Sequence, residues 1–176
     1  MEETREQKTE SAYFKLVTNL EDLTKVYRTL LDLLRKEKEL LLQSDLTGLQ
    51  ESNQTKEACL YKLRAMDTAR ERYARELAHL VGTDVKAPRL LDLAQKISGT
   101  AGDRLRTLHS TLELLVRRVQ EINKENEKYT ETALKTLHGA MGELKDTLAP
   151  KKTYDRKGSM KNSGTENAGN FASKEA

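Results

Sequence analysis

Leucines recur along most of this chain in alternating steps of four and three residues. From about Ser11 to Gln43, the positions Leu16, Leu20, Leu23, Tyr27, Leu30, Leu34 and Leu41 keep that phase, with Glu37 the one polar intrusion. This spacing lays a continuous apolar seam along one side of an α-helix. Val17, Val26, Leu31, Leu40 and Leu42 widen the seam, so the helix has more than one neighbour. Ser44-Asp45 is an N-cap signal, and a second helix is predicted from there to about Val81, through Leu46, Leu49, Cys59, Leu60, Leu63, Met66, Tyr73, Leu77 and Leu80. Asn53, Lys56, Asp67 and Arg70 lie on or beside the same seam and must be paired or reach out to water, because an isolated buried charge is costly.

Gly82 suits the left-handed conformation that ends a helix, and after Pro88 a short amphipathic segment runs from Arg89 to Ile97. Ser98-Gly99-Thr100-Ala101-Gly102 reads as a break. A last helix is predicted from near Asp103, carrying Leu105, Leu108, Leu112, Leu115, Val119, Ile122, Asn126, Tyr129, Ala133, Leu137, Met141, Leu144 and Leu148 in heptad phase up to Pro150. The expected fold is all-α: three long antiparallel helices in an up-down-up bundle, each about 50 to 70 Å long, with a short connecting helix. The domain plan is a flexible N-terminus over 1–10, the bundle over 11–149 and a disordered basic tail over 150–176. In that tail Tyr154, Met160 and Phe171 are the only bulky apolar or aromatic side chains, too few to offset the entropy of ordering it.

Charge sharpens this picture. Charged residues make up 34% of the 176 and aromatic ones 5%, the balance of a long-helix protein. The net charge of +3 resides in residues 149–176, while the remaining 148 residues carry 25 basic and 25 acidic side chains. A nucleic-acid binder carries a basic stripe on its folded part, and none is visible, so no nucleic-acid partner is expected. One cysteine, an acidic and polar start, and no long apolar run point to a cytoplasmic chain without membrane insertion.

Catalytic and metal chemistry find no footing. His79, His109 and His138 stand apart, with no second ligand at metal-binding spacing, and Cys59 lies on an apolar helical stripe where cysteine is a packing residue. Gly99 to Gly102 precede a helix but lack the Gly-Lys-Ser/Thr ending of a phosphate loop. No enzyme activity, metal or cofactor is expected. What remains is an interaction surface. If the last helix starts level with the end of the second, it reaches the far end of the bundle near residue 139, and Met141, Leu144 and Leu148 continue the seam of Leu137 past that point. The overhang is a docking candidate, unless the segment 89–97 folds over it or the helices are staggered and the stripe is core.

Several residues together resemble the FlgN family of flagellar export chaperones. They are Leu30, Leu31, Leu34, Glu37 and Leu41 at the end of the first helix, and Asp45, Leu46 and Leu49 at the start of the second. Lys56, Leu60, Leu63 and the Arg70/Arg72 region follow, then Ile122-Asn123-Lys124-Glu125-Asn126 in the last helix and Thr153 to Gly158 in the tail. The similarity covers about residues 13–148. It implies binding of hook-associated (hook-filament junction) proteins through their C-terminal helices, prevention of premature assembly, and delivery to the flagellar export gate. On that basis Leu137, Met141, Leu144 and Leu148 are the client-binding candidates and Tyr154 the gate-docking candidate, or else a stray tail aromatic. Asn123 and Asn126 are candidates for fixing bundle register. The chain is expected to be a monomer or a weak homodimer; the alternative reading is a generic coiled-coil scaffold or self-associating helical adaptor.

Overall fold

The computed structural model describes residues 4–148 together with 153, 154, 160 and 161. The described residues are all but entirely helical: α1 (Arg5–Gln43), α2 (Leu46–Val81), α3 (Leu90–Ile97) and α4 (Gly99–Leu148). The chain falls into two compact units, Met1–Thr130 and Glu131–Ala176, with α4 running through the boundary.

In the first unit α1 and α2 are antiparallel, as cross-helix contacts show. Lys15 pairs with Glu76 at 3.2 Å, Asn19 Nδ2 donates to the Met66 carbonyl at 3.2 Å, and Lys56 pairs with Glu37. α4 runs parallel to α1, since Arg104 pairs with Glu21 and Lys38 with Glu125 at 2.8 Å. The exposed pairs Lys15–Glu76, Arg104–Glu21 and Lys38–Glu125 contribute little to stability individually, whereas Lys56–Glu37 is largely buried. The apolar seams supply the core. One cluster gathers Ala12, Leu16, Val17, Leu20, Ala74, Leu77, Ala78, Leu93, Ala94 and Leu105, and a second gathers Leu23, Val26, Leu30, Leu31, Leu34, Leu63 and Ile122. Each fully buried leucine contributes about 1.5–3 kcal/mol.

Two helix starts differ from the sequence expectation. α1 begins at Arg5, not near Ser11, because Thr4 and Gln7 form a reciprocal capping box: Thr4 Oγ1 accepts from the Gln7 amide and Gln7 Oε1 accepts from the Thr4 amide. α4 begins at Gly99, not near Asp103. Only Ser98 (φ 56°) and Gly99 (φ 57°) leave the helical region, so the whole turn between α3 and α4 is made by two residues. Gly102 is inside the helix and buried, and a Cβ there would lie 2.4 Å from the Ala94 carbonyl oxygen. Its role is to let α4 pass under the end of α3, not to break the chain.

In the second unit every described residue of α4 from Glu131 to Leu148 is exposed. Beyond it, Thr153–Tyr154 and Met160–Lys161 pair as a two-residue antiparallel ladder, Thr153 opposite Lys161 and Tyr154 opposite Met160. The rest of 149–176, including Pro150 and most of the tail expected to be disordered, lies outside the described residues, as do residues 1–3.

The glycines of α4 separate packing from propensity. Gly102→Ala is expected to lower stability by about 1–3 kcal/mol through the clash with Ala94. At Gly139 and Gly142 a Cβ meets nothing within 4 Å, so alanine there should add about 1 kcal/mol each to local helix stability. Urea unfolding reads the first, as a lowered midpoint, and circular dichroism the second, as a gain in helicity.

Candidate functional site

The helical spacing of residues 137, 141, 144 and 148 places Leu137, Met141, Leu144 and Leu148 on one face of α4, and all four are between 55% and 74% exposed. One residue that the strict heptad phase passes over belongs with them. Leu134, 50% exposed, precedes Leu137 by three residues; the strict phase had selected Ala133 instead. Leu114, 65% exposed, lies in the first unit and on another face of the helix, so it is no part of this stripe. Lys135, Glu143, Lys145 and Asp146 intersperse the stripe with both signs of charge. An amphipathic helix face with anchors at three- and four-residue steps is what helix-in-groove recognition uses.

The transition from buried to exposed α4 falls at Asn126. Every described residue of α4 from Glu127 onward is exposed, earlier than the position 139 estimated from helix lengths. Asn126 itself is 4% exposed, and its Nδ2 donates to the Leu34 carbonyl at 2.9 Å and to Glu37 Oε2 at 3.0 Å. Glu37 Oε1 accepts from Lys56 Nζ. One carboxylate of α1 thus receives a charged donor from α2 and a neutral donor from α4. The other oxygen of Asn126, Oδ1, is buried without a partner among the described residues. Asn123 is not part of this cluster; its Nδ2 donates along the same helix to Glu127 at 2.7 Å. Glu37 had looked like a flaw in the first seam. The signal that would have found it is an acid on one seam and a lysine, Lys56, on the seam that faces it.

The backbone of Tyr154 lies in the short ladder of the second unit. Cys59 is half-buried, its Sγ 3.9 Å from the Val26 carbonyl, and burial raises its thiol above the ordinary value, with Lys62 opposing. That environment disfavours the thiolate a nucleophile needs. Tyr13 donates its hydroxyl to the Ala101 carbonyl at 3.1 Å, and burial pushes its phenol up while Arg104 pulls it down. His79 and His138 are exposed, and His109 is half-buried beside Leu112 in a furrow between α2 and α4. Among the described residues no three His, Cys, Asp or Glu side chains converge as a metal site, and no helix is long and apolar enough to cross a membrane.

The described residues therefore define an all-helical protein whose longest helix carries an exposed apolar stripe. A family model described as FlgN protein matches residues 12–162. The chain belongs to the FlgN family, chaperones of bacterial flagellum biogenesis that bind flagellar proteins. No curated protein and no solved structure matches it.

The cluster at Glu37 makes a graded prediction. Lys56→Met leaves the carboxylate half-buried with only Asn126, and should cost about 1–3 kcal/mol in urea unfolding. Adding Glu37→Met should recover most of that loss, because two apolar side chains replace the pair. If Asn126 sets register, the recovered protein with Asn126→Leu added will keep its stability but give broadened, multiple amide resonances. A single sharp set would assign register to the apolar seams alone.

Proposed function

We propose that this chain is a flagellar export chaperone, an up-down-up helical bundle that holds hook-associated (hook-filament junction) proteins in the cytoplasm and delivers them to the export gate. The reading includes no catalytic step, no cofactor and no nucleic acid. One observation carries it: in a member of a chaperone family, Leu137, Met141, Leu144 and Leu148 form an exposed apolar stripe on a helix. Clients that polymerise through amphipathic helices outside the cell expose matching stripes inside it. Two such helices laid side by side bury both stripes, and holding the client in this way requires no nucleotide. Asn126 would fix where the body ends and the receiving stripe begins.

Met141→Asp with Leu144→Asp is expected to weaken client binding by about 3 kcal/mol, more than a hundredfold, with helicity and melting temperature unchanged. A collapse in melting temperature would make the stripe core and remove it as the client site. Sedimentation of the free chain separates this reading from the scaffold alternative. A chaperone remains a monomer or weak dimer and becomes a defined complex with client, whereas a scaffold self-associates through the same stripe at low micromolar concentration.

Tyr154 is assigned to the export gate, as an aromatic anchor in a basic, polar stretch, suited to a weak and reversible contact. Tyr154→Ala is expected to leave client affinity intact while lowering binding to the cytoplasmic domain of the gate and secretion of the client. Titration of the client-loaded chaperone onto that domain checks this, and undiminished affinity would return the tail to a solubility role.

A further inference from the structure

α3 is only eight residues long, yet its Leu93 and Ala94 are fully buried against Leu16, Ala74, Leu77 and Leu105. It therefore lies in the furrow that α2 and α4 leave between them above α1. The furrow does not stop where α3 starts. At Leu90 it opens into a hollow of about 440 Å³ whose apolar lining is Leu23 and Tyr27 from α1 and Leu112 and Val116 from α4. That volume is in the range of about 300–1,000 Å³ typical of binding sites.

The rims define what could enter. On α2, Asp67 pairs with Arg70 at 2.7 Å, and on α4, Glu113 pairs with Arg117 at 3.5 Å, so each rim neutralises itself. Burial raises the Tyr27 phenol above its ordinary value, with Asp67 adding to the rise and Arg70 opposing it, so its hydroxyl stays protonated at neutral pH. The rims, which also carry His109 and Gln120, thus have no net charge from their ion pairs, and the floor between them is apolar, so neither phosphate nor an acidic peptide is favoured. The chain also displays an occupant the furrow accepts: Leu90, Leu93, Ala94 and Ile97 of α3 form one face of a helix and pack against its floor and walls.

We propose that the hollow beyond Leu90 is a second docking surface, which takes an amphipathic helix of the flagellar client set in line with α3. The inference rests on the chaperone reading and extends it from one contact to two. Burial of the helix's apolar face in the furrow adds to the affinity for the client in its own right, so that losing this contact weakens binding even where the stripe on α4 is intact. The helix entering the furrow presents Leu, Ile or Ala at three- and four-residue steps and no charge on that face.

The test uses the full chain and, as probes, the intact client and a synthetic peptide of its C-terminal helical segment. Val116 lines the hollow but belongs to neither core cluster, so Val116→Glu places a charge on the floor while leaving the body packed. It is expected to lower affinity for the intact client about tenfold with an unchanged melting temperature. A second form removes any dependence on folding: Val116→Cys in a Cys59→Ser chain, coupled after purification to a bulky maleimide, should weaken binding to the same degree. If Val116→Glu melts early, the maleimide form decides. Wild-type affinity in the blocked forms, alongside loss of binding in Met141→Asp with Leu144→Asp, overturns the furrow and leaves the chaperone reading standing. Wild-type affinity in all three overturns both. Binding of the short peptide that is lost on blocking the hollow and kept in the α4 variant would place that helix in the furrow.

Discussion

The Glu37 carboxylate accepts from Lys56 on α2 and from Asn126 on α4, so one side chain of α1 ties the three long helices at a single level. Leucine seams alone do not do this. A stripe of leucines packs almost as well when one helix slides by a heptad, whereas a half-buried carboxylate is satisfied only where its two donors meet it. The cost is real: Glu37 and Lys56 are largely withdrawn from water, and Asn126 Oδ1 is buried without a partner among the described residues, a penalty of about 1–3 kcal/mol. A cluster that gives up stability in the middle of an otherwise apolar interface is explained by what it specifies.

What it specifies matters because Asn126 is the last buried residue of α4. Up to that point the helix is held by Leu105, Ile122 and the partly buried leucines between them. From Glu127 to Leu148, where every described residue is exposed, helix formation rests on propensity and on local pairs rather than on packing. Gly139 and Gly142 weaken that propensity further. The stripe of Leu134, Leu137, Met141, Leu144 and Leu148 thus sits on the least supported part of the longest helix. A partner laid against it would add the apolar burial that this stretch lacks.

The helices themselves were legible because each carries a long seam in one period. The second helix, from its cap at Asp45 to Gly82, is where the sequence puts it, since both caps are single residues with one dominant role. The starts of α1 and α4 were misplaced for specific reasons. The capping box of Thr4 and Gln7 lies ahead of the first leucine and was masked by the polar residues between. Gly102 looked like part of a glycine break, although it is a glycine of close approach, and nothing local distinguishes the two. Lys56 was readable as a charge in need of a partner, and Asp67 and Arg70 likewise; that Asn126 would join Lys56 at Glu37 was not, because it depends on the relative height of three helices. The furrow beyond α3 was equally invisible. It is made by the space between elements, and no residue in it carries a distinctive pattern.

An exposed apolar stripe is a hazard for any chain, and the arrangement of charge here limits it. Lys135, Glu143, Lys145 and Asp146 lie beside and opposite the stripe, so the rest of this part of α4 is polar and charged. The body outside the tail carries equal numbers of basic and acidic side chains, so its net charge supplies no long-range steering. Selectivity must then come from shape at short range. A helix with matching three- and four-residue steps can cover the stripe along its length, whereas a partner of another period meets it at one or two leucines and gains too little to offset the loss of its own freedom. On the proposed reading, the same features would favour an amphipathic helix of similar length, held by many small contacts and released when those contacts are lost together.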